Sequence, residues 1–227
     1  MSRTIALCAS VAAFALCAQL SFAEEAPHPR VLLLPVDFKV FRDNLFVQEI
    51  IPEQTKAARL NLGDAAREAL LAHGAFELDA MPKLSPDEEQ ILHRQVTLAR
   101  LIATQAEAYR HRPWRERRAD FDRRLGNGLS FLHDRTGAGY ALLVTGGQVT
   151  RCFLCAQFAA NGKKGNRTVV GLVLIDLNDG NVSWFNSMDT FGSFFGTLHR
   201  DASERDDARR ILGKLLAVYP KIPALTD

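Results

Sequence analysis

Three apolar runs of strand length constrain this chain more than any other feature. Arg30-Val31-Leu32-Leu33-Leu34-Pro35-Val36-Asp37-Phe38 is almost continuously apolar, where a half-exposed strand would alternate. A strand reads this way when both of its faces are buried, and Pro35, which has no N–H to donate, marks where its pairing ends or bulges. Tyr140-Ala141-Leu142-Leu143-Val144 and Thr168 to Asp176 are the two strongest further strand signals. Asn161-Gly162-Lys163-Lys164-Gly165-Asn166 between them reads as a solvated hairpin loop.

Helical periods separate these runs. From Pro52, Ala58, Leu62, Ala65, Ala69 and Ala72 share one face, with Leu70 nearby and Gly74 where a C-terminal cap belongs. The small residues would let this helix lie close against a sheet. Residues 39 to 51 show no period and read as a connecting loop, and Ala75-Phe76-Glu77-Leu78 as a short strand. Ser85-Pro86-Asp87-Glu88 has the form of a capping box with proline at the first helical position. The helix it opens carries Ile91, Gln95, Leu98, Ile102 and Tyr109 near one stripe.

A third helical stretch covers Leu125 to Arg135 and stops at Gly137. Asn178-Asp179-Gly180-Asn181 is a turn leading into the strand Val182 to Asn186, and Asp189 to Arg200 reads as a Phe- and Gly-rich loop. The last amphipathic helix runs from Ala202 to Tyr219 with Ala208, Ile211, Leu212, Leu215 and Tyr219 inward, and Pro220 ends it. These elements predict an α/β fold: a single domain over residues 24–227, with a mixed β-sheet flanked by α-helices.

A cleavable signal peptide is expected ahead of it, over residues 1–23. Arg3 is its one positive charge, and an uncharged, Ala-rich core follows. Ser21-Phe22-Ala23 then places small residues at the two positions that a signal peptidase reads. The core is short for a transmembrane span, which wants about 20 predominantly apolar residues. Cys17 follows Leu16, so the small residue that lipoprotein processing needs before its cysteine is missing. The expected destination is therefore the periplasm or the medium, with no integral membrane span in the mature chain.

Composition narrows the partners. The 227-residue chain is 47% hydrophobic, as soluble globular proteins are, and its net charge is only +2. That balance gives no reason to expect nucleic acid. Cleavage would also remove Cys8 and Cys17 and leave Cys152 and Cys155 in a compartment where disulfides persist.

The order of elements resembles the periplasmic α/β domain of the curli-secretion lipoprotein family and the N-terminal domain of TolB. The residues that carry the likeness are the opening strand Val31 to Phe38, Gly74-Ala75-Phe76 after a helix, and Gly137-Ala138-Gly139-Tyr140-Ala141-Leu142. A strand-turn-strand from Leu174-Ile175-Asp176 through Gly180 to Trp184 completes it. In texture the chain is also similar to exported Gram-negative envelope proteins that close on an Asp/Arg-rich helix. The resemblance covers most of residues 30–220, implies the fold and an envelope role, and contains no catalytic residue. No acylated cysteine follows the leader, and Cys152-Phe153-Leu154-Cys155 is not part of the pattern.

Cys152 and Cys155 form the sharpest candidate pair. A redox centre needs its first thiol at a helix N-terminus, and this pair follows a strand among Phe153, Leu154 and Phe158 with no helical pattern behind it. A zinc site would need two more ligands, for which His133 and His199 are the only vaguely suitable residues. A local disulfide is favoured if the chain bends at Phe153-Leu154, because an extended strand holds residues three apart at about 10 Å, beyond disulfide reach. Otherwise both thiols stay free.

Arg110, Arg112, Arg115, Arg117 and Arg118 flank Trp114 and could grip phosphate or carboxylate, though Glu116, Asp120 and Asp122 offer local pairing in a solvated connector. Phe191, Phe194 and Phe195 lie on a Gly-rich loop that either packs under the last helix or serves as a partner surface. Ser130, His133 and Asp134 are close in sequence but lack a nucleophile elbow. Gly126-Asn127-Gly128 and Gly146-Gly147 lack a phosphate-loop pattern and read as a turn or a strand end.

No catalytic, cofactor or metal residue is assigned. The leading expectation is a non-catalytic, exported cell-envelope protein that binds or assembles with an envelope protein or an anionic envelope component. A periplasmic thiol oxidoreductase or hydrolase and an anion-binding surface protein are the alternatives.

Overall fold

In the computed structural model, β5 (Tyr140–Thr150) is the axis around which the sheet is built. The structure describes residues 29–44, 47–73, 77–107, 124–150, 167–189 and 201–218. Along one side of β5 lie β1 (Arg30–Leu33) and β2 (Asp37–Asn44) in succession, both parallel to it. Along its other side β6 (Arg167–Asp176) runs antiparallel, and β7 (Val182–Asp189) pairs antiparallel with β6. Outside β1 lies the parallel strand β4 (Glu77–Asp79), and outside β2 the antiparallel strand β3 (Val47–Ile50). The sheet is mixed, as the sequence predicts, and all described residues fall within one compact unit, His28–Pro223.

Helices cover both faces. Helix α1 (Pro52–His73) and the closing helix α4 (Arg205–Leu216) pack on one. There Ala58, Leu62, Ala65, Ala66 and Leu70 meet Phe38, Val40, Leu142, Val144, Leu172 and Leu174, joined by Ile211, Leu212 and Leu215 from α4. Glu68 accepts from Arg209 at 2.7 and 2.8 Å and from Arg205 at 3.3 Å, which ties the two helices at the surface. Helix α2 (Pro86–Glu107) and α3 (Ser130–Thr136), the latter preceded by a 3-10 turn at Asn127–Leu129, cover the other face. The capping box forms reciprocally: Ser85 N–H donates to Glu88 at 2.7 Å and Glu88 N–H to the Ser85 hydroxyl at 3.4 Å. Gly137, at φ 70°, ends α3 in the left-handed cap that glycine adopts without a Cβ penalty.

Three readings of the sequence are corrected. Residues 39–51 are not a loop: β2 continues to Asn44 and pairs with β3, from Asn44↔Val47 to Phe41↔Ile50. Gly146-Gly147 is not a strand end but lies inside β5, opposite Val170 and Val169. Glycine is required at 146, since its φ is 147° and a Cβ there would run into the Val169 carbonyl. The buried stripe of α2 is also rotated from the one expected. Leu92, Ala99, Ile102 and Ala103 are buried, whereas Leu98 is 44% exposed. The alanines allow close approach, and the end of the Gln95 side chain packs against Gly128.

One irregularity decides the rest. Leu33 pairs with Leu142 and Asp37 with Thr145, so the β1–β2 side spends four steps where β5 spends three. This is a one-residue bulge at Pro35. Side chains alternate faces along a strand, so an extra residue inverts every position beyond it. Leu32 and Leu34 pack on the α2 face, while Val36, Phe38 and Val40 pack on the α1 face. Asp37 and Lys39 are thereby turned away from the α1 core.

Candidate functional site

The outer edge of the β1–β2 segment is paired by β4 only over Arg30–Leu32 and by β3 only over Phe41–Asn44. Between them, the outer edge of residues 33–40, the side away from β5, has no strand beside it among the described residues. Helix α1 and Ile51 just before it replace part of the missing strand. Thr55 Oγ1 accepts from Val40 N–H at 3.0 Å, Ile51 N–H donates to the Val40 carbonyl at 2.8 Å, and Arg59 Nε donates to the Phe38 carbonyl at 2.8 Å. Buried backbone groups need partners, and here a threonine and an arginine supply them.

Where this edge stays open a cleft of 390 Å³ forms against α2. Pro35 and Val36 from the bulge and Leu92 and Val96 from α2 give it an apolar lining. Asp37, Lys39, Arg59, Glu89, His93, Thr97 and Arg100 add the polar groups. Positions 89, 92, 93, 96, 97 and 100 are one stripe of α2, because residues three and four apart share a helix face. Arg100 reaches Asp37 at 3.3 Å, a pairing that exists only because the bulge turns Asp37 toward α2. Lys39 and Arg59 have no carboxylate partner among the described residues.

A second hollow of 540 Å³ continues around the edge and shares Lys39 and Arg59 with the first. Ile50, Pro52, Thr55, Lys56 and Leu60 complete it. Ile50 is 50% and Leu60 60% exposed, so apolar surface faces solvent beside three cations. Long-stemmed cations beside apolar surface suit an anionic partner that also carries apolar groups.

The residues singled out from sequence are placed elsewhere. Cys152 and Cys155, the arginines Arg110, Arg112, Arg115, Arg117 and Arg118, and Phe191, Phe194 and Phe195 all lie outside the described residues, as do the leader, Gly74 to Phe76, the Asn161 to Asn166 loop, His199 and Tyr219. His133 is described: its Nδ1 lies 2.8 Å from the Ala138 carbonyl, where it closes the C-terminal turn of α3. Among the described residues no cluster of three or more His, Cys, Asp or Glu is arranged to hold a metal ion. No helix among them is long and apolar enough to cross a membrane.

Displaced ionisations belong to the scaffold. The Arg209 hydrogen bond holds the Glu68 carboxyl below its usual range, and the hydrogen bonds of Ser85 do the same for Glu88. Burial, aided by Asp176 and Asp179, pushes the Tyr140 hydroxyl up.

Sequence reasoning missed two groups. Lys39 and Arg59 fell in a supposed loop and on the polar face of a helix, and only the bulge brings them together. Gln148, fully buried, is the second: it donates to Asp201 at 2.9 Å and accepts from Thr168 Oγ1 at 3.2 Å and Ala202 N–H at 2.8 Å. Asp201 also accepts from Ser203, so this network fastens the entry of α4 to the sheet. The one sequence signal for it was a glutamine directly after two glycines in an apolar strand.

No family model matches this chain, and no curated protein matches it. Among solved structures, the chain is similar to a dodecamer of PelC from Paraburkholderia phytofirmans, at 12% identity and a TM-score of 0.32. That likeness covers 83% of this chain and 87% of the other.

Proposed function

We propose that this is an exported, non-catalytic envelope protein that binds an anionic envelope partner in the cleft between the β1–β2 bulge and α2. The observation that carries the reading is the cleft itself, an apolar lining under Lys39 and Arg59, which lack carboxylate partners among the described residues. Asp37 is engaged by Arg100, and Arg59 is held in place at the Phe38 carbonyl. Export rests on Arg3, the short apolar core and Ser21-Phe22-Ala23. Lys39 and Arg59 sit over an apolar floor, which supports an anionic partner that also carries apolar groups.

The test is a photoreactive residue at Thr97 in the full chain, irradiated in a Gram-negative envelope. An adduct that Lys39→Gln suppresses, and that the exposed control position Arg67 does not give, is expected. The same adduct from both positions, or none from Thr97, would contradict the site. N-terminal sequencing of the recovered protein should read from Glu24, and an intact Met1 on a cytoplasmic species would contradict export.

A further inference from the structure

The two hollows meet at Lys39 and Arg59, so these two cations lie between the apolar linings of both hollows, and the first hollow also holds the Asp37–Arg100 pair, Glu89 and His93. On one side are Pro35, Val36, Leu92 and Val96, and on the other Ile50, Pro52 and Leu60. An amphiphile with one headgroup carries its charge at an end and would leave one compartment unmatched. A peptide can place an acidic side chain between apolar ones, with its backbone extended along a strand edge. We infer that the occupant is an extended protein segment carrying one acidic residue flanked on both sides by apolar residues, its carboxylate held between Lys39 and Arg59. This rests on the cleft being the binding site, as proposed above, and adds the class of partner. The second hollow adds Lys56 and is lined by no carboxylate, whereas Asp37 and Glu89 line the first, so the second side is the more cationic and would accept further acidic residues.

Binding of a labelled, capped peptide with one glutamate and a leucine two residues to either side, measured by fluorescence anisotropy on the full chain, tests this. The glutamate peptide should bind about fivefold tighter than its glutamine counterpart, the upper end for an exposed ion pair. That preference should fade between about 0.01 M and about 1 M salt, as the screening length falls from about 30 Å to about 3 Å. Lys39→Gln should abolish it. Leu60→Ser and Val96→Thr, one in each compartment, should each weaken the peptide; Leu60 is well exposed and Val96→Thr keeps the side-chain shape, so both variants should fold.

Equal binding of the two peptides would overturn the inference, as would weakening by only one of the two compartment variants. Tighter binding of dodecanoate than of the peptide would assign the cleft to a single-headed amphiphile and overturn it too. Self-association of the chain that Lys39→Gln and Leu60→Ser abolish, with no peptide bound, would assign it to a second copy. If the peptide fails while Thr97 still captures an anionic envelope component, the partner class falls and the site stands. If Thr97 captures nothing, the site itself falls.

Discussion

The two faces of the sheet are built differently. On the α1/α4 face apolar residues run without a break from Val31 through Phe38 and Val40 to Leu172 and Leu212. On the α2 face the apolar cluster stops at the bulge: Leu32, Leu34, Leu143, Val173 and Ile175 are covered, but beyond Pro35 the sheet presents Asp37 and Lys39. The same strand therefore closes one core and opens a cleft on the other face. A bulge can do this because the side-chain period is two residues, so one extra residue moves a whole set across the sheet.

Phe38→Asp should break the contrast most severely. The bulge sets position 38 in the closed α1 core, where its side chain is fully buried, and an unpaired carboxylate there would cost a large share of an ordinary domain's stability of about 5–15 kcal/mol. Loss of the cooperative melt by circular dichroism is expected, and a native-like melt would place position 38 outside the closed core.

Next in size, Leu172→Ala in the closed face should cost about 2–5 kcal/mol. Val96→Thr in the cleft wall should cost less, because that wall already borders solvent. Denaturant midpoints that reverse this order would erase the distinction between the faces. Thr55→Val should follow at about 1–3 kcal/mol, as it leaves the Val40 N–H without its acceptor.

The smallest effects are those of pH. Glu68 and Glu88 ionise at lower pH when folded, so their contribution is complete above the ordinary value of 4.5 and is lost as acid carries them through their folded values. Tyr140 is shifted the other way, so its contribution holds below 10.0 and is lost above it. Glu68→Gln and Glu88→Gln should flatten the acid limb of a stability–pH profile, and Tyr140→Phe the alkaline limb.

Much of the scaffold was legible in the sequence because periodicity reports burial directly. The capping box at Ser85, the stop at Gly137 and the inward Ala208, Ile211, Leu212 and Leu215 of α4 all follow from local pattern. The rotated stripe of α2 did not, because alanines pack as well as leucines where elements approach closely and carry a weaker signal. The cleft was partly visible. Pro35 announced that pairing ends or bulges there, but what a bulge does depends on the register against β5, and no local pattern holds that register. Lys39 and Arg59 are 20 positions apart and become a pair only through it.

The inversion at Pro35 is tested most directly by nuclear Overhauser contacts from three side chains. Leu34 methyls should contact methyls of α2, Leu92 or Ile102, whereas Val36 methyls and the Phe38 ring should contact α1, near Gly63, Ala58 and Leu62. Contacts from all three to the same helix would mean an unbroken alternation, with Asp37 and Lys39 on the opposite face, and would contradict the account.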